Sequence, residues 1–83
     1  MTATIQSPSQ VREVRDLVRL PDGARATFSS DDAYGRRFIT AGRARFVGGD
    51  VAVLVVDLAT NSIETLTLSM WAPVDVEAID LPW

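Results

Sequence analysis

The chain has no cysteine, no histidine and no lysine. Each absence closes a class of chemistry. Without cysteine no disulfide can brace a small domain, and without cysteine or histidine a structural zinc site loses its usual ligands. Ser-His-Asp and Cys-His nucleophile systems are excluded, as is an imidazole base. Without lysine there is no Schiff base and no phosphate-loop lysine. Long apolar runs are missing too. The longest, Val51 to Val56, has six residues, far short of the roughly 20 that cross a bilayer as a helix. Met1 to Gln10 has no basic residue and no apolar core, so it does not read as a signal peptide. The expectation is a cytoplasmic protein with no membrane association.

What is present is unevenly placed. All eight basic residues are arginines, and all lie between Arg12 and Arg45. Set against Glu13, Asp16, Asp22, Asp31 and Asp32, they leave the first 46 residues at +3. The remainder carries six acids (Asp50, Asp57, Glu64, Asp75, Glu77, Asp80) and no base, for −6. The hydrophobic content, 47%, is that of a globular domain. A length of 83 residues allows one domain, expected over 8–83 behind a flexible 1–7. So small a core is marginal alone. With disulfide and zinc unavailable, a homo-oligomer or a tight complex is the expected means of support.

Local signals favour strands. Ser7-Pro8-Ser9-Gln10 reads as a helix start, with Ser7 as N-cap and Pro8 as first helical residue. Val11, Val14, Leu17 and Val18 follow at helical spacing. Pro21-Asp22-Gly23 is a turn signal, expected to close a hairpin between a strand near 16–20 and one near 24–29, with the helix yielding around Arg15. The alternative is a helix that runs to Leu20 and stops at Pro-Asp-Gly. From Arg36 to Val47 side chains alternate, with Gly42 as a possible bulge. Gly48-Gly49 suits a two-residue hairpin loop. Val51 to Val56 suits a central strand, and a turn near Thr60-Asn61 leads to Ile63–Trp71. These turns predict one apolar face through Phe46, Ala44, Val51, Val53, Val55, Leu66, Leu68 and Met70, with Val55 opposite Leu66 and Asp57 opposite Glu64. Two like charges so placed need solvent or a bridging cation. The opposite face, with Ala52, Leu54 and Val56, needs a cover: the Val11–Val18 stripe, a closing barrel or a second subunit. Val74 to Glu77 suits a short edge strand. The fold class is mainly β, a five-stranded antiparallel meander rolled into a small SH3- or Sm-like barrel, with a possible short N-terminal helix. The alternative is α+β, one helix on a four-stranded antiparallel sheet.

The residues left for function are few. Arg25, Arg37, Arg43 and Arg45 form an expected arginine face suited to a phosphate or carboxylate, and so to a small anion or nucleotide. Nucleic acid is disfavoured by the net charge of −3 and by the lack of interleaved aromatics. Asp75, Glu77, Ile79, Asp80, Leu81 and Trp83 form an acidic, apolar segment that suits a protein partner. Carboxylate chemistry could use Asp31-Asp32 with Tyr34, or Asp57 with Glu64, with a divalent cation; each pair also suits an ordinary loop. No cofactor or metal is expected. The expected function is a non-enzymatic binding module that contacts other proteins, of a size that fits an accessory or inhibitory protein of a virus or mobile element. The alternatives are an anion- or nucleotide-binding protein and a cation-dependent carboxylate enzyme.

Overall fold

The computed structural model describes residues 8–82; the proposed Ser7 cap, the flexible 1–7 and Trp83 lie outside them. Six strands form one antiparallel sheet: β1 (Arg25–Ser29), β2 (Arg37–Thr40), β3 (Arg45–Val47), β4 (Asp50–Asp57), β5 (Ser62–Ser69) and β6 (Asp75–Asp80). The mainly β expectation holds. β4 is the hub. It pairs with β5 along its whole length on one side. On the other side β3 takes its first half and β2 its second half. β1 then joins β2, and β6 joins β1. The sheet is open: β5 and β6 do not pair with each other.

The sixth strand arises because the alternating stretch 36–47 does not run straight. It leaves the ladder at Ala41, whose N–H donates to Leu54 C=O at 2.7 Å, and rejoins it at Arg45. Gly42 allows this. A Cβ there would lie 3.2 Å from Leu54 Cβ, so the backbone passes Leu54 more closely than a larger residue permits. The Gly48-Gly49 loop is as expected, pairing Phe46 with Val51, with Gly48 at φ 63°. The next hairpin differs by two residues: Val55 faces Glu64 and Val53 faces Leu66. Its loop holds four residues, not two. Asn61 is left-handed at φ 59°, and the Asp57 carboxylate accepts the Ala59 N–H at 2.8 Å. A slip of two residues preserves side-chain parity, so the expected apolar face survives.

Residues 8–20 form neither the expected helix nor a strand near 16–20. They make two 3₁₀ turns, Pro8–Gln10 and Val14–Arg19, joined by an extended link. The Val14 N–H donates to Ala72 C=O at 2.9 Å, and the Val74 N–H to Arg12 C=O at 3.0 Å. These cross-chain bonds replace the helical ones, and the β-branched valines lose little by the exchange. The Pro21–Ala24 turn, with Gly23 at φ 82°, therefore links a 3₁₀ turn to β1 and closes no hairpin. Val11, Val14, Leu17 and Leu20 are buried, every third residue, as three residues per turn dictates. They cover the inner sheet face with Ala26, Phe28, Phe38, Val51, Val53, Val55 and Leu66. Phe28 and Phe38 meet with ring centroids 5.7 Å apart. Phe46 is the exception to the expected face: it sits on the rim beside the 14–19 turn, 53% exposed.

The two faces of β4 should respond oppositely to a near-isosteric change. Val55→Thr puts a hydroxyl into the closed core and should cost about 1–3 kcal/mol, whereas Val56→Thr should stay within about 0.5 kcal/mol. Urea denaturation of the two variants checks this; equal losses would contradict the assigned faces.

Candidate functional site

The register places side chains on the outer face in rows. Ala78, Thr27, Ile39, Val56 and Ile63 form one row across β6, β1, β2, β4 and β5. A neighbouring row holds Asp80, Arg25, Leu54 and Thr65, with Ala41 bonded to Leu54 between the strands. A third holds Arg45, Ala52 and Thr67. No described element covers the middle of these rows. Ile63 is 68% exposed and Leu54 41%, while Ile39 and Val56 are half-buried by their neighbours. The candidate site is therefore an apolar patch of Ile39, Leu54, Val56 and Ile63, bordered by threonines and arginines.

The four arginines expected to act together are separated by their partners. Arg37 donates from Nε and Nη2 to both carboxylate oxygens of Glu77, at 2.8 and 2.7 Å. Arg43 donates to Asp22 at 2.7 Å. Arg25 and Arg45 form no ion pair with a described residue and lie on the outer face, both on the side of Leu54 away from β5. Arg25 and Arg43 do share a cleft of about 190 Å³ between the 21–24 turn and the 41–44 loop, with Asp22 and Thr40 in its lining.

The partner-binding candidates on the C-terminal segment are also partly engaged. Asp75, Ile79 and Asp80 pair with Ser29, Ala26 and Arg25 of β1. Glu77 is the extra residue of a bulge and is held by Arg37. Ile79 packs against the core. Leu81 is half-buried after the end of β6. The segment thus completes this sheet, leaving Asp75 and Asp80 exposed without an ion partner among the described residues.

The acidic pairs resolve differently. Asp57 is buried, and the Arg36 Nη1 reaches both Asp57 Oδ2 at 3.4 Å and Glu64 Oε1 at 3.3 Å. Asp57 does not stand opposite Glu64 as expected, because the four-residue loop sets it opposite Ser62, but the Arg36 guanidinium links the two carboxylates. Arg36 also lies 5.0 Å from the Phe38 ring centroid and donates to Ala33 C=O. Asp31 and Asp32 stand exposed in a 3₁₀ turn capped by Ser30, and Tyr34 projects from it, 93% exposed, in the left-handed region at φ 60°. Neither the Arg25–Arg43 cleft nor the hollow beside Phe46 is lined by a residue of this turn. No cluster of three or more possible metal-ligating side chains exists among the described residues.

A second exposed surface lies at the opposite rim. The Arg15 guanidinium stacks 4.4 Å from the Trp71 ring centroid, and Trp71 is 58% exposed. Phe46 and Val47 are exposed nearby. Ile39, Ile63 and this Trp71–Arg15 pair were not among the residues singled out from sequence. The parity of Val56 and Ile63 about the hairpin could have found the outer row; the Arg15–Trp71 contact, 56 residues apart in sequence, carries no local signal.

No protein-family model, curated protein or solved structure matches this chain. No helix among the described residues is long and apolar enough to cross a membrane.

The Arg37–Glu77 pair has a measurable signature. Hydrogen bonds from Arg37 hold the Glu77 carboxyl below its ordinary value of 4.5. A depressed folded-state value contributes stability above the ordinary value, which is lost as pH falls through the depressed one. Being fully exposed, the pair is screened by solvent. A carboxyl-detected NMR titration should show the Glu77 midpoint below that of an ordinary glutamate, moving up toward it in Arg37→Ala. An unmoved midpoint would show that Arg37 is not held.

Proposed function

We propose that this protein is a non-enzymatic binding module that docks a partner protein on its outer sheet face. The observation that carries this reading is the uncovered row Ile39–Val56–Ile63 with Leu54 beside it, on a strand whose other face is fully buried. Exposed contiguous apolar patches rimmed by polar groups mark interaction sites on small soluble domains. Arg25 and Arg45, with no ion partner among the described residues, border the patch on the side away from β5. The complementary surface is therefore apolar at its centre and acidic at its rim.

A direct test places a photo-reactive amino acid at Thr27, beside Ile39 at the border of the apolar patch, in the cell that makes the protein. A discrete protein adduct is expected, reduced at least about tenfold by Leu54→Glu, because a desolvated charge at the centre of an interface costs several kcal/mol. No adduct, or one indifferent to Leu54→Glu, would remove the reading.

The cleft between Arg25 and Arg43 favours a second reading, a small-anion site. Its volume of about 190 Å³ is below the roughly 300 Å³ at which drug-sized sites begin, so an inorganic anion fits better than a nucleotide. The Asp22 carboxylate on Arg43 competes for the same guanidinium. Phosphate binding by calorimetry, lost in Arg25→Ala and strengthened in Asp22→Asn, would support it.

A further inference from the structure

The backbone of β5 has a second side. The Met70 N–H donates to Gly49 C=O at 3.1 Å, and Ser69 stands opposite Asp50 in the same register. In an antiparallel ladder the hydrogen-bonding direction alternates residue by residue. Leu68, Leu66, Glu64 and Ser62 therefore exchange their bonds with β4. Ile63, Thr65, Thr67 and Ser69 turn their N–H and C=O groups the other way, and of these the Ser69 C=O already accepts the Ala72 N–H, which leaves the six groups of Ile63, Thr65 and Thr67 as the open stretch. Among the described residues β5 pairs with β4 alone, so these six polar groups form a free edge.

The two outermost strands treat their edges differently. β6 carries a bulge at Glu77, three acids within six residues, and a proline two residues after its end. Bulges, charges and prolines are the usual means of preventing edge pairing. β5 has eight residues in unbroken register, no proline and no glycine. Its one charge, Glu64, is already held by Arg36. The side chains above the free edge are Ile63, Thr65 and Thr67, all uncharged and exposed.

We propose that β5 pairs antiparallel with β5 of a second copy, about a two-fold axis through Thr65. On this centring Thr65 faces Thr65 of the second copy, and Ile63 faces Thr67 in both directions. The pairing satisfies all six edge groups on each strand. It places threonine against threonine, a favourable cross-strand pair, and opposes no like charges directly. What favours a second copy is the side-chain match: Thr65 meets Thr65, Ile63 meets Thr67, and the single charge, Glu64, stands opposite Leu66 rather than another acid. The sheet becomes continuous through the dimer, and the rows ending at Ile63 run side by side across the axis. This association rests on the edge alone; it stands or falls separately from partner docking on the outer face.

Two variants test it. The Thr65 N–H makes no bond to β4, so Thr65→Pro should leave the fold intact while removing two bonds across the axis. Sedimentation equilibrium of the wild type should show a monomer–dimer equilibrium in the micromolar range. Thr65→Pro should weaken it by at least about a hundredfold, with an unchanged circular dichroism spectrum. Because the chain has no cysteine, Thr65→Cys offers a second readout that needs no proline. Residues facing across a hydrogen-bonded pair lie about 5.5 Å apart at Cα, within disulfide reach. Oxidation should link Thr65→Cys into a dimer, whereas Thr67→Cys, about 13 Å from its counterpart in this register, should stay unlinked. A wild type that remains monomeric to millimolar concentration overturns the proposal. So does a dimer that Thr65→Pro leaves intact, or equal linking at 65 and 67. Leu54→Glu changes the side chain beside Thr65 but removes none of the six backbone groups, so the dimer should persist.

Discussion

A sheet has two faces, and this chain has one segment with which to cover them. Residues 11–20 place Val11, Val14, Leu17 and Leu20 on the inner face, where they close the core over Phe28, Phe38 and the odd-numbered residues of β4. Among the described residues nothing comparable lies over the outer face. Each buried aliphatic side chain contributes about 1.5–3 kcal/mol, so a domain of this size does not leave such groups bare without consequence.

The charge arrangement looks different in space than along the sequence. Read linearly, guanidinium groups and carboxylates are segregated. In the fold, Arg36 reaches Asp57 and Glu64, and Arg37 grips Glu77, so the two halves neutralise each other across the sheet. Asp16 is treated similarly within its own turn. Burial pushes its carboxyl upward, but the N–H groups of Arg12 and Glu13 and the Arg19 guanidinium together bring it below its ordinary value. Of the three arginines without an ion pair among the described residues, Arg12 lies on the N-terminal link, and Arg25 and Arg45 stand beside the apolar patch.

Much of the β architecture was legible because strand periodicity and turn chemistry are local. Gly48-Gly49 set the Phe46–Val51 pairing, and the alternation about it predicts the inner face of β4 and β5. The second hairpin slipped by two residues because its loop depends on the Asp57 side chain capping Ala59, a bond that residue type alone does not announce. The N-terminal segment was misread because 3.6-residue and 3-residue spacings coincide over one turn. Leu20 distinguishes them: it continues the series 11, 14, 17 and is buried, whereas Val18 is only partly so. For the candidate site, Leu54 and Val56 were recognised as lacking a cover, but the arginines expected to work as a group were dispersed by partners distant in sequence.

The central claim, that one face of β4 is sealed and the other is open, can be read directly from methyl relaxation by a soluble paramagnetic probe in dilute protein. The account predicts strong relaxation at Leu54 and Ile63, intermediate relaxation at Ile39 and Val56, and near-complete protection at Val53 and Val55. Equal protection on both sides would mean that the chain covers its own outer face, and would contradict it.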